Sequence, residues 1–346
     1  MQITPFSWLP LSVFGGAMDG LAFPLAKYKG MPYVIMLFIG VGWLTLPLMY
    51  MAGGEVWQNI GLASAMSFSQ IASIGPFTLL MTVLVGLIFW SENIARFDAI
   101  SKAPYVGYVL MVLGTSEDAL VFAIEPLIKK WQGELVVVRW FEVVAILFAL
   151  SSALLHYLAD KRRKASVGTG HFTRFGWVPL AAFAGVIAGL GQLVAKSTGQ
   201  AGVSPVTFVG VVGLVWVACS VAFIAAGPLW GRLLFPPTTT MREVVQTGRG
   251  TIALMLLVGW MTAAGNIAKF DAIMYKAPLI GFVLVVAPVS VFVTSFFLEF
   301  SIRVYKRLRY HEGSLDVDRN DVFGVVSAFV ALSLFQLPVI EKFLGF

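Results

Sequence analysis

The sequence predicts an all-α polytopic membrane protein of about ten transmembrane helices, built as two inverted five-helix repeats. Three observations predict it: charged residues are scarce, apolar stretches of membrane-crossing length recur along the whole chain, and the second half repeats the first.

Of 346 residues, 58% are hydrophobic and only 12% charged, against roughly 25% charged in a soluble domain. Most of the surface must therefore face something other than water. The net charge of +6 comes from lysines and arginines in short loops between apolar runs. Membrane proteins set their orientation this way, and no nucleic-acid partner is expected. Cys219 is the single cysteine, which excludes an intrachain disulfide and a cysteine-based metal site; in its apolar run it reads as a packed thiol. The opening MQITPFSWLP has no basic leader and runs straight into a span, so no cleavable signal peptide is expected.

The apolar stretches fall at 6–26, 32–53, 75–98, 104–127, 136–158, 177–195, 204–227, 250–272, 277–300 and 321–340. Each is close to the roughly 20 residues that a bilayer core of about 30 Å requires. They read as helices, because backbone exposed to lipid must satisfy its own hydrogen bonds. A membrane β-barrel would alternate apolar and polar residues, and these runs are continuous. The third and eighth spans carry charge at their C-terminal ends. Residues 57–74 (WQNIGLASAMSFSQIASI) are uncharged but weakly polar, as in a loop, an interfacial helix or a re-entrant segment.

The duplication is explicit. NIARFDAI at 93–100 recurs as NIAKFDAI at 266–273, an offset of 173. After a slip of one residue, KAPYVGYVL at 102–110 recurs as KAPLIGFVL at 276–284. Pro32, Trp43, Gly54 and Trp57 fall on Pro205, Trp216, Gly227 and Trp230 at the same offset of 173. In the first span of each half, Gly16, Gly20 and Lys27 fall on Gly185, Gly189 and Lys196, at 169. The organisation expected is a first repeat over 1–160, a basic connection over 161–176 and a second repeat over 177–346. Five spans per repeat force the second copy to enter the membrane in the opposite direction. Inverted repeats of this kind recur in secondary transporters, with the substrate site near the midplane between them.

Each half resembles the five-span unit of the drug/metabolite transporter superfamily, of the EamA-like type. The residues that carry the resemblance are a lysine closing the first span (FPLAKYKG, 23–30; QLVAKSTG, 192–199) and the phrases AISKAP (99–104) and AIMYKAP (272–278) before a small-residue fourth span. A proline followed by a late glutamate in APVSVFVTSFFLEF (287–300), and the run GELVVVRWFEVVAILFALSSALL (133–155), add to it. Departures are Gly114 where the second half has Pro288, the charges at Glu92, Arg96 and Asp98, and the long connection 301–319. The resemblance implies a ten-helix transporter with cytoplasmic termini. The charge count points the other way: odd-numbered connections hold 17 lysines and arginines and the rest of the chain 7, which puts both termini outside.

Charge inside a bilayer is costly and marks a functional candidate. Charges shared by both halves are Lys27/Lys196, Arg96/Lys269, Asp98/Asp271, Lys102/Lys276 and Glu125/Glu299. Most lie near span ends, where long side chains reach water, and read as anchors or ion pairs. Lys27 and Lys196 differ, because the resemblance implies that the first and sixth spans end beside the central cavity, where either lysine could meet an anionic group. Charges confined to the first half are Asp19, Glu92, Glu117 and Asp118, opposite Ala188, Gly265, Val291 and Phe292. Glu92 and Arg96 are spaced to form an ion pair. Glu117 and Asp118 have no basic neighbour within a turn and point about 100° apart, so one of them is expected to face a cavity. Such a carboxylate could carry a proton, bind a cationic substrate, pair with a lysine of another span, or meet a partner subunit.

Trp57, Trp90, Trp131, Trp140, Trp177 and Trp230 lie near span ends, as in an interfacial belt. Trp43 and Trp216 are mid-span and either line a cavity or pack. Gly16/Gly20 and Gly185/Gly189 permit close helix contact. Histidines 156, 171 and 311 are scattered at membrane edges and in loops, without haem- or zinc-binding spacing. There is no Walker motif, dinucleotide fingerprint or nucleophile–base constellation, so neither an enzyme nor a cofactor is expected. The expectation is a multi-pass protein of a bacterial inner membrane. It would move a small polar or amphipathic metabolite by alternating access, with proton coupling through the intramembrane acids. Its partners would be the lipid bilayer, the solute, and either a second copy or other membrane subunits. The alternatives are a structural subunit of a larger membrane complex and a flippase for lipids or lipid-linked sugars.

Overall fold

The computed structural model describes residues 6–27, 32–54, 73–131, 140–162, 175–226, 241–277, 280–310, 318–335 and 337. Ten long helices account for nearly all of them. They are α1 (Trp8–Lys27), α2 (Pro32–Ala52), α3 (Pro76–Lys102), α4 (Val106–Trp131), α5 (Trp140–Arg162), α6 (Trp177–Gln200), α7 (Pro205–Ala225), α8 (Arg249–Asp271), α9 (Ile280–Tyr310) and α10 (Arg319–Phe335). A short helix, Met241–Gln246, precedes α8. Eight of the ten, α1 and α3 to α9, are long and apolar enough to cross a membrane. The described residues are thus all-helical, with the helix content of a multi-pass membrane protein. The ten expected spans each coincide with one helix. Residues 57–72 of the weakly polar stretch, and most of the 161–176 connection, lie outside the described residues.

Helix ends follow local chemistry. Prolines open α2, α3 and α7, at the position where a missing N–H costs nothing. Ser204 caps α7 by accepting from the Thr207 N–H at 3.2 Å. Ala103 is extended (φ −72°, ψ 150°), and so is Ala277 (φ −78°, ψ 135°). Each precedes a proline, which disfavours a helical residue before it. The KAP phrases therefore terminate α3 and the helical run containing α8. The one-residue slip between the repeats has a structural form: α3 stays α-helical to Lys102, whereas Ala272–Lys276 form a π-turn. Ala277 N–H donates to Ala272 O at 2.8 Å and Ala103 N–H to Ala99 O at 2.9 Å, so the extra residue is absorbed by a five-residue closure.

The helices of the two halves interleave. The helix α1 packs on α9 and α8, α6 on α4 and α3, α2 on α7 and α8, and α5 on α10. The glycine pairs make two of these contacts possible. A Cβ at Gly16 would stand 2.3 Å from Ala287 O, and one at Gly185 would stand 2.2 Å from Leu113 O. Gly114 and Pro288 meet where α4 crosses α9, and a Cβ at Gly114 would fall 2.4 Å from the proline Cβ. This difference between the halves is steric: equivalent positions face each other, and a proline on one side requires a glycine on the other.

Candidate functional site

Six helices (α1, α2, α3, α6, α7 and α8) enclose a central cavity of about 30 Å³ near the middle of their lengths. It is constricted, with room for guests of water size in this conformation. The first half contributes Asp19 and Phe23 from α1, Trp43 from α2, and Phe89, Glu92, Asn93 and Arg96 from α3. The second half contributes Gln192 from α6, Trp216 from α7, and Thr262, Asn266 and Lys269 from α8.

The two mid-span tryptophans line the cavity and also pack on each other, ring centroids 5.3 Å apart and planes tilted 54°. Trp43 Nε1 donates to Thr262 Oγ1 at 2.9 Å. The position equivalent to Thr262 in the first half is Phe89, which offers no acceptor, and Trp216 Nε1 is buried without a hydrogen-bond partner among the described residues. Opposite faces of one tryptophan pair thus meet different chemistry.

Both signs of charge reach the site. Arg96 Nη2 lies 2.5 Å from Glu92 Oε1, while Asn93 Nδ2 donates to Glu92 Oε2 at 2.6 Å. Lys269 Nζ lies 3.4 Å from Glu117 Oε1, joining α8 to α4. Asn266 Nδ2 donates to Asp19 Oδ1 at 3.5 Å. Buried charges of this sort persist only when paired and hydrogen-bonded.

Several residues stand elsewhere than the sequence suggests. Arg96 and Lys269 looked like span-end anchors but line the cavity, because both helical runs continue past them to Lys102 and Lys276. Neither Glu117 nor Asp118 lines the cavity; Glu117 reaches it through Lys269, and Asp118 is fully buried with neither carboxylate oxygen hydrogen-bonded among the described residues. Lys27 is drawn away from the cavity. Its ammonium donates to Ala103 O at 2.9 Å and lies 3.3 Å from Glu299 Oε1, whose other oxygen accepts from Val106 N–H at 2.7 Å. Lys196 does not line the cavity either. Arg303 completes this corner, 3.2 Å from Glu299 and stacked over the Tyr105 ring at 3.9 Å. The side chain of Glu125 lies outside the described residues.

The remaining shared charges form two matched pairs at opposite faces of the bundle. Lys102 lies 2.8 Å from Asp98 and donates to Phe175 O at 2.9 Å, tying α3 to the start of α6. Lys276 lies 2.8 Å from Asp271 and donates to Phe6 O at 2.7 Å, tying the end of the α8 run to the start of α1.

Sequence reasoning passed over the amides of the cavity. Asn93 and Asn266 open the duplicated motif itself, so their shared position was the available signal. It also missed the role of His156, which is fully buried, with Nδ1 2.9 Å from Asp321 Oδ1 and its ring against Tyr108 and Trp177. Trp177 is accordingly 1% exposed and forms no part of an interfacial belt, while Trp140 is 72% exposed. Trp57 and Trp230, and the side chain of Trp131, lie outside the described residues.

No family model and no curated protein matches the chain. A solved crystal structure does match in shape, with a TM-score of 0.52 over 96% of this chain and 97% of its own, at 14% sequence identity. A likeness at that identity concerns the fold alone, and it extends over the whole ten-helix arrangement.

Proposed function

We propose that the chain is a secondary transporter of the drug/metabolite type, moving a small polar or amphipathic solute through the central cavity by alternating access. The observation that carries this reading is that the cavity lies mid-bundle and is walled by corresponding helices of both halves. Supporting it, the principal packing relations keep their pattern when each helix is exchanged for the one five places on: α1 on α9 matches α6 on α4, and α1 on α8 matches α6 on α3. The helix pairs α2/α7, α4/α9 and α5/α10 map onto themselves. An inverted repeat would produce this pattern, its two halves exchanging conformations so that a central site opens to alternate sides.

The lining suits a solute with both an apolar body and polar groups. Trp43, Trp216, Phe23 and Phe89 offer flat faces, and the amides and charges offer directional partners. Matched lysine latches at the two faces, Lys102 to Phe175 O and Lys276 to Phe6 O, are both closed beside a constricted cavity, as in an occluded state. Flux into proteoliposomes tests the reading. Purified protein should accelerate uptake of a radiolabelled amphipathic solute over empty vesicles and show counterflow; a solute screen with no counterflow would contradict it.

A further inference from the structure

Each cation in the central cavity already has a carboxylate against it. Glu92 holds Arg96 at 2.5 Å and Glu117 holds Lys269 at 3.4 Å. Asp19 is different. Among the described residues no lysine or arginine stands within ion-pair distance of it, and its hydrogen bond from Asn266 is long at 3.5 Å. Its counterpart in the second half, Ala188, lines the same cavity and brings no charge.

Two further groups point to a guest. Gln192 Oε1 and Trp216 Nε1 belong to residues only 2% exposed, line this cavity, and have no hydrogen-bond partner among the described residues. A buried acceptor and a buried donor left unmade each carry the full cost of their desolvation, and a bound molecule relieves it. Around them Phe23, Phe89 and the Trp43–Trp216 pair present ring faces, which attract a positive charge through their quadrupoles.

We propose that the cavity, widened from the water-sized space of this conformation, binds a small organic monocation, an ammonium group on a flat apolar body, with Asp19 as its counter-ion. The proposal rests on reading the cavity as the solute site. An anionic guest would find both cations already neutralised by Glu92 and Glu117. A neutral guest would leave Asp19 only the longer-range attraction of Arg96 and Lys269, both already paired with other carboxylates. The ammonium faces Asp19, the body lies against the aromatic faces, and Gln192 Oε1 and Trp216 Nε1 take a donor and an acceptor on the guest. Asp19 is then the residue that sets charge selectivity.

Calorimetric titration of the purified full chain tests this with three probes of one shape: 2-phenylethylammonium, 2-phenylethanol and phenylacetate. The ammonium should bind wild-type protein about 30-fold or more tightly than the alcohol, as expected for a buried charge pair, with phenylacetate weakest. Asp19→Asn should erase that preference, bringing the affinity for the ammonium down to that for the alcohol measured on the same variant. Equal binding of ammonium and alcohol to the wild type overturns the proposal without any variant, and means that Asp19 takes only a proton. A preference for phenylacetate, or a D19N protein that keeps the ammonium preference, overturns it as well. Flux separates this inference from the transporter reading. Ammonium binding that depends on Asp19 without ammonium flux leaves the cation site standing and removes transport. Flux of neutral or anionic solutes that D19N leaves unchanged does the reverse.

Discussion

Lys276 lies 2.8 Å from Asp271, five residues before it, whereas its counterpart Lys102 lies 2.8 Å from Asp98, four residues before it. The π-turn at Ala272–Lys276 makes the two pairs equivalent despite the extra residue. Both lysines then use the same second partner, a backbone carbonyl at the start of the first helix of the other half. The duplicated charges thus build one device twice, once at each face.

Removing one latch should therefore open one face. In Lys102→Met, spin labels on the end of α3 and the start of α6 should move apart, with those on α8 and α1 unchanged. Lys276→Met should give the mirror result. Each lysine sits on a fully buried carboxylate, with side-chain exposures of 12% and 0% for Lys102–Asp98 and 9% and 0% for Lys276–Asp271, so its removal strands a buried charge at a cost of about 3–5 kcal/mol, enough to shift a population strongly. Pulsed electron spin resonance distances check this, and identical distributions in both variants would show that the lysines are mere anchors.

The Lys269–Glu117 pair joins α8 to α4 in a desolvated setting, with side-chain exposures of 12% and 3%. Breaking one partner leaves the other buried and uncompensated, at a cost of about 3–5 kcal/mol. Lys269→Met and Glu117→Gln should each lower the unfolding temperature in detergent more than the double variant Lys269→Met/Glu117→Leu does. Additive losses would mean that the two charges are not coupled.

At the α4–α9 crossing, Gly114→Ala would drive a methyl group into Pro288. Overpacking of this kind costs about 1–3 kcal/mol, and Pro288→Ala should restore much of it. Thermal unfolding of the two single variants and the double variant gives the coupling directly.

His156 and Asp321 join α5 to α10 with both side chains fully buried, and Gly324 leaves the imidazole its space, since a Cβ there would come within 2.9 Å of the ring. Asp321→Ala should cost about 1–3 kcal/mol through the polar group it strands. Gly324→Ala should weaken the same joint. Protease sensitivity of the α5–α10 pair, compared with the rest of the chain, reads out whether the loss is local.

The ten helices were legible because a bilayer demands continuous apolar runs of one length, and such runs need no periodicity to be recognised. The slip after NIAKFDAI was visible too, although its form as a π-turn was not. The charges were harder to read. Arg96 and Lys269 read as the ends of their spans, since charge ordinarily marks where an apolar run leaves the membrane, yet each helical run continues beyond them. Glu117 looked solitary because Lys269 lies 152 residues further along the chain. His156 was hidden for the same reason, its partner being 165 residues away. Partners across helices belong to packing, which local sequence does not encode.

Access to the cavity from both faces is the consequence that tests alternating access most directly. Ala188 lines the cavity beside no charge of its own, so a cysteine there, in a Cys219→Ser background, can report access without removing a polar group. A membrane-impermeant maleimide should label it from either side of sealed, oriented vesicles, with Lys102→Met favouring one side and Lys276→Met the other. Labelling from a single side in all three proteins, or from neither, would contradict the account.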